Sequence, residues 1–375
     1  MSVEMKPEAS VAERAARSVW VGVLRLVASL GVPIVAFILL WLTFQFLRKS
    51  DAPKLVLALV AIIVGVGGIF LLFWAMDFAV SRFSDRVQER VRPYVFVGPA
   101  LVILSVFLVY PAINTTILSF KDATSSTFVG LDNYKFVFSD PAMLRSIRNT
   151  FGWVIAIPLF TVGVGLGFAT LVDRLHRGEA VAKSLIFLPM AVSFVGASIV
   201  WRFVYSFRPE GFGNQIGLLN GIMVSAGKQP IPWLQEQPWN NLLLMVVMVW
   251  LQTGFAMVIL SAGIKAVPDE ILEAARIDGA REFQVFWRVI VPSIMSTIVV
   301  VTTTMFINAM KIFDIIWVMT NGQNGTEVIA ERMLRWFFKF GDNGKGAAIA
   351  VVLFVAVIPI MVLNVKRFKA EEAIR

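Results

Sequence analysis

The chain has 375 residues, of which 58% are hydrophobic and only 16% charged, and its formal net charge is +9. A mean hydropathy of +0.77 and a charged share well below the roughly 25% of soluble domains argue against an ordinary soluble protein and for an all-α polytopic membrane protein. There is no cysteine, which excludes disulfides, thiolate metal sites and cysteine nucleophiles.

The first eighteen or so residues are polar and include acidic side chains, so they read as a retained N-terminus and not a cleaved signal. Apolar stretches long enough to cross the hydrocarbon then recur at about 21–47, 54–80, 94–120, 150–172, 184–206, 241–264, 293–318 and 346–366. This predicts about eight transmembrane helices. A basic seam at 81–93 divides the chain. Residues 1–93 hold the N-terminus and two added spans, 94–366 a six-span core, and 367–375 a tail.

Lys and Arg cluster in the N-terminus, in 81–93, in 174–183, in 265–288 and in the tail, which places both termini in the cytoplasm; Arg48 to Lys54 runs against this bias. The basic residues sit at the ends of apolar spans, so anionic lipid is the expected surface partner. No basic stripe with interleaved aromatics suggests nucleic acid. The single histidine, His176, stands between Arg174 and Arg177 and reads as a solvated loop residue, which leaves no histidine cluster for a metal.

Residues 265–292 interrupt this pattern with a charged insert. Pro268 suits a helix first turn, and Asp269 and Glu270 complement the positive end of the helix dipole. The pair Asp278-Gly279 then ends the run, because glycine takes the left-handed cap. A second helix is predicted from about Ala280, with Phe283, Phe286, Trp287 and Ile290 on one face. Ala274 and Ala275 leave a low surface for a close contact, flanked by Glu273, Arg276 and Asp278. On the residues alone, a docking platform and an ordinary interfacial amphipathic helix are both open.

The stretch EAARIDGAREFQVFWRVIVP, from Glu273 to Pro292, resembles the EAA loop of membrane subunits of bacterial ABC importers. The match rests on Glu273, Ala274, Ala275 and Gly279, with Asp278, Ala280, Phe286, Ile290 and Pro292 fitting the carbohydrate-importer version; Val291 replaces the usual leucine. FDIIWVMTNGQ from Phe313 is similar to maltose-type permeases, except that Gly322-Gln323-Asn324 stands where Gly-Gly-Pro is usual. The resemblance implies a permease that forms a sugar path with a second homologous permease. It also implies an extracytoplasmic sugar-binding protein and dimeric cytoplasmic ATP-binding subunits docked on the loop. By this resemblance Glu273, Ala274, Ala275, Asp278 and Gly279 are the ATPase-coupling residues. Maltose or another α-glucoside is the expected cargo; glycerol phosphate or a polyol is the alternative, and an ion-coupled secondary transporter a further one.

The chain has no GxxxxGK[ST] loop, so ATP hydrolysis is expected on a separate chain, with no enzyme activity, cofactor or metal on this one. Polar groups inside spans are functional candidates by default. Trp201, Tyr205, Gln252, Thr253, Asn308, Lys311 and Asp314 are the substrate-path candidates, with Lys311 and Asp314 spaced to pair with each other instead.

Overall fold

A computed structural model describes the backbone of residues 11–83, 85–175 and 177–372. Side chains are described for 27, 31–83, 85–175, 177–359 and 361–362, so His176 and the side chains of the basic termini lie outside the described residues. The described residues are helical apart from turns, loops and one isolated bridge between Lys121 and Phe128. The backbone divides into two compact units, Met1–Ala112 and Ile113–Arg375.

In the first unit, α1 (Val11–Lys49) packs along α2 (Lys54–Val80). Gly68 lies so close to Leu40 that a Cβ there would come within 2.7 Å of Leu40 Cδ2. The expected seam at 81–93 is a break only at its start, because α3 is helical from Asp85 to Leu118 through a π-helical turn at Ser105–Val109. Arg92 pairs with Asp77 at 2.6 Å and ties α3 to α2.

The second unit holds the rest. After the end of α3 come α4 (Asp132–Ser139) and α5 (Pro141–Val172). Asp140 caps α5 by accepting from Met143 N at 2.9 Å, and Pro141 at the first helical position loses no bond by lacking an N–H. Next are α6 (Glu179–Ala191), α7 (Phe194–Val204), α8 (Leu218–Ser225), α9 (Trp239–Lys265), α10 (Asp269–Ile277), α11 (Glu282–Ser293) and α12 (Met295–Met310). Then follow α13 (Asp314–Met319), α14 (Ile329–Leu334) and α15 (Asn343–Glu372). The short helices α4 and α8 lie between the apolar stretches expected to span.

Five helices are long and apolar enough to cross a membrane, and seven spans result if two bent pairs each count as one. The expected eight are not reached among the described residues: the last candidate is the shorter apolar stretch Asn343–Pro359 at the start of α15. The α6–α7 pair bends by 97°. Pro189 sits in a 3-10 turn, Val192 and Ser193 are extended, and Ser193 Oγ accepts from Gly196 N at 3.0 Å to start α7 afresh. The α11–α12 pair bends by 72° after a π-helical turn (Phe286–Ile290), Pro292 and a non-helical Ile294. The seventh expected span, 293–318, therefore ends at Met310, and α13 is a separate piece.

The central helix of this unit is α9, whose core includes Leu244, Val247, Met248, Ala256, Met257 and Leu260, all fully buried. Lipid is as apolar as leucine, so packing in a membrane depends on close approach of small residues. Gly165 of α5 meets Ala256 so tightly that an added Cβ would lie 2.6 Å from the Ala256 Cβ. Gly254 abuts the backbone of α6, where an added Cβ would lie 2.5 Å from Ile186 O.

Candidate functional site

The charged insert leaves α9 at Lys265 and folds as two short helices. Pro268 is the N-cap of α10, one residue before the first-turn position expected. Asp278 caps the other end, and Gly279 follows with φ +83°. Gly279 N donates to Arg276 O at 3.0 Å and Ala280 N to Ala275 O at 3.1 Å. These are the paired 5→2 and 6→1 bonds of a Schellman motif, which satisfy carbonyls at the helix end. Arg276 Nε reaches across the turn to Glu282 at 2.8 Å, and Gln284 accepts from Arg281 N at 2.8 Å to open α11.

The coupling candidates are displayed outward. Glu273, Ala274, Asp278 and Gly279 are exposed, and Ala275 is half-buried. Exposed apolar side chains surround them, with Ile277 at 85% and Phe283 at 74%. The aromatic face expected on α11 is divided. Phe283 and Trp287 stay exposed, while Phe286 and Ile290 pack with Leu272 on the core formed by Ala256, Leu260 and Ile294. A π-helical turn covers Phe286–Ile290 in this stretch.

A polar clamp that the sequence did not reveal sits at the base of this insert. Lys183 Nζ contacts Asp173 at 2.8 Å, Glu179 at 2.8 Å and Ser261 Oγ at 2.5 Å. Ser261 Oγ in turn donates to Asp173 at 2.7 Å, and Lys265 pairs with Glu179. Three helix ends are thus joined: the C-cap of α5, the first turn of α6 and the last turn of α9. The only hint in the sequence was a serine inside an apolar span.

The path candidates separate into groups. Tyr205 is 2% exposed and donates to Leu243 O at 3.2 Å. Trp201 packs on Tyr205 and on Trp250, with centroids 5.3 and 5.6 Å apart. Gln252 and Thr253 are buried on α9, where the Thr253 hydroxyl is taken up by Val249 O at 2.6 Å. Asn308 is half-buried on α12. Lys311 and Asp314 form no ion pair: Lys311 caps α12 and Asp314 begins α13, so the helix that would have aligned them is broken between the two.

A second polar structure surrounds the 320–328 loop. Asn321, Gly322, Asn324 and Gly325 all have positive φ. Asn149 donates to Gly325 O and Glu327 O at 2.8 Å each, Asn240 to Asn324 O at 2.8 Å, and Asn241 to Gly325 O at 3.1 Å. Behind the loop, Arg335 bonds both Glu331 and the Asn321 carbonyl. Glu331 is fully buried, and burial pushes its carboxyl above the ordinary range against the pull of Arg335.

Comparison with known proteins defines the family. Residues 78–367 match the binding-protein-dependent transport system inner membrane component. The chain is 51% identical to the osmoprotective compounds uptake permease protein GgtC of Synechocystis, over 75% of this chain and 100% of that one. It is 42% identical to the alpha-glucoside transport system permease protein AglF of Rhizobium meliloti, over 85% of this chain and 98% of that one. Its fold is like that of a chain from a bacterial ABC transporter involved in the import of the acidic polysaccharide alginate, with a TM-score of 0.66 at 19% identity, covering 76% of this chain and 99% of the other. With most of its length matched, the chain belongs to the family of binding-protein-dependent transport system inner membrane components.

Proposed function

We propose that the chain is a multi-pass inner-membrane permease subunit of an ATP-driven importer for α-glucosides. It forms the translocation path with a second homologous permease. Residues 94–366 make the core, 1–93 add two spans and 367–375 a tail, with both termini cytoplasmic. An extracytoplasmic sugar-binding protein delivers cargo, and cytoplasmic ATP-binding subunits dock on residues 265–292.

The observation that carries this reading is the shape of the insert. It is a fixed helical corner whose coupling candidates point away from the fold, with exposed Ile277 and Phe283 beside them. A buried structural loop would not leave such apolar area uncovered. In this reading Glu273 makes the main polar contact, Ala274 and Ala275 admit the partner closely, and Asp278-Gly279 fixes the corner. The clamp around Lys183 holds the helices behind it, so that movement of the partner reaches α5, α6 and α9 together. The remaining candidates, Trp201, Tyr205, Gln252, Thr253, Asn308, Lys311 and Asp314, lie toward the path.

Similarity to the permeases named for alpha-glucosides and for trehalose and maltose supports a glycoside cargo. An osmoprotective solute is the second reading, favoured by the 51% identity to GgtC. Both are tested by co-purification followed by ATPase assays in liposomes with the matching binding protein. Maltose, trehalose and non-glycosidic osmolytes are compared as stimulants. A membrane extract from which no ATPase or second permease co-purifies overturns the proposal.

A further inference from the structure

A cavity of about 460 Å³ opens between α7, the 232–235 segment, α13 and the 320–324 loop. That volume lies within the roughly 300–1,000 Å³ of small-molecule sites. Of the seven path candidates only Tyr205 lines it; Gln252, Thr253 and Asn308 do not. It also lies at the opposite end of α9 from the coupling insert. Tyr205 bonds to Leu243, near the start of a helix of 27 residues, and such a helix runs about 40 Å at 1.5 Å per residue before Lys265.

The lining has a distinct chemistry. No carboxylate faces the cavity. Gln235, Gln323 and the Ser206 hydroxyl line it without a side-chain hydrogen bond among the described residues, and Arg202 reaches only Val318 O, at a long 3.5 Å. Amide, hydroxyl and guanidinium groups are thus left with capacity directed to solvent or solute. One wall is aromatic: Trp317 is 37% exposed, and Arg335 lies over its ring at 5.7 Å and limits its freedom. Another part of the wall is the start of the 320–328 loop, already fixed by Asn149, Asn240 and Asn241. A wall held in place in advance loses little entropy when a ligand arrives.

Free amides beside an aromatic face suit a solute with many hydroxyls. Each hydroxyl both donates and accepts, as does each amide, and the C–H face of a sugar ring packs on the indole. A phosphate would call for a bidentate clamp or a second cation, and Arg202 is the one charged residue in the lining. The sequence departure noted above acquires a meaning here. Gln323, which stands in this departure from Gly-Gly-Pro, brings one of the free amides to the cavity, while the Asn324 amide beside it donates to Leu234 O at 3.4 Å.

We propose that this cavity is an entrance subsite for an uncharged glycosyl unit, occupied before the solute reaches the polar residues inside the spans. The proposal rests on the importer reading and adds a second station to it. Its test uses the complete transporter in lipid nanodiscs without the binding protein, titrated with maltose and with sn-glycerol 3-phosphate while tryptophan fluorescence is followed. Maltose should give a saturable change that is lost in Trp317→Phe. Its dissociation constant should rise at least ten-fold in Gln235→Ala/Gln323→Ala, two exposed positions with no side-chain bond to the fold. Lys228→Ala, at an exposed position outside the lining, should leave it unchanged. A signal undiminished in both the Trp317 and the glutamine variants overturns the proposal, as does a stronger response to the phosphate. Sugar-stimulated ATPase activity with no saturable maltose signal also overturns the subsite while sparing the importer reading. Loss of both sinks the two together.

Discussion

Lys183 Nζ lies 2.8 Å from the Asp173 carboxylate, and the two share Ser261 as a third partner. Their side chains are 23% and 10% exposed, so water replaces neither partner fully. Removing one member of such a pair strands the other, which is costlier than removing both. Lys183→Met should therefore destabilise the permease by about 2 kcal/mol. Lys183→Met/Asp173→Leu should recover more than half of that. Thermal unfolding of the purified complex checks the cycle. Additive losses in the double variant would show that the clamp carries no coupling energy.

Gly279 has φ +83° with nothing within 4 Å of where a Cβ would stand. Space is therefore free and only the backbone conformation is restrictive. A non-glycine residue there costs roughly 1–2 kcal/mol, with asparagine tolerated best and β-branched residues worst. Uptake should fall in the order Gly279→Asn, then Gly279→Ala, then Gly279→Val, while membrane insertion stays normal. Equal uptake by Gly279→Val and the parent would mean that the corner does not have to keep its angle.

Much of this was legible from local rules. Pro268, Asp278 and Gly279 announce a helix, its end and the turn after it, and all three positions are observed within a residue of expectation. The apolar runs locate five long spans because hydrocarbon demands length and composition alone, but they do not show the bends that break two others. The missed features depend on neighbours distant in sequence. Lys183 counts in the sequence only as one charge of the basic segment 174–183, since nothing local indicates that Asp173 and Ser261 meet it. Asn149 and Asn241 acquire purpose only when the 320–328 loop folds onto them. The aromatic face of α11 is divided between core and surface, a boundary that periodicity alone does not specify. Lys311 and Asp314 were spaced to pair, but the helix that would align them stops at Met310.

The Glu273 side chain is exposed and makes no hydrogen bond among the described residues. Exposed substitutions of this kind usually change stability by less than about 0.5 kcal/mol. Glu273→Ala should thus unfold at the parent temperature yet retain at least ten-fold less ATPase on co-purification. Ala274→Trp, which adds bulk at an equally exposed position, should match it. Both variants retaining the ATPase at parent levels would move the docking surface elsewhere, toward Phe283 and Trp287.

Glu331 gives the permease a pH dependence whose sign follows from its burial. Its carboxyl is pushed above the ordinary value of 4.5, so the folded chain holds that proton more tightly than the unfolded chain does. For a group shifted in this direction, stability is greatest below pH 4.5 and falls as pH rises toward the folded-state value. Arg335 opposes the shift, and Arg332 and Glu327 act on it from either side with smaller, opposite effects. The Glu331 carboxylate oxygen that does not meet Arg335 has no partner at all, which explains why the charged form is not fully compensated. Glu331→Gln removes the titration but keeps an acceptor for Arg335. The Glu331 contribution to thermal stability should decline as pH rises above 4.5, and the variant should lack that decline. A variant whose profile overlays the parent's would show that Arg335 neutralises Glu331 completely and that the loop it supports is indifferent to protons.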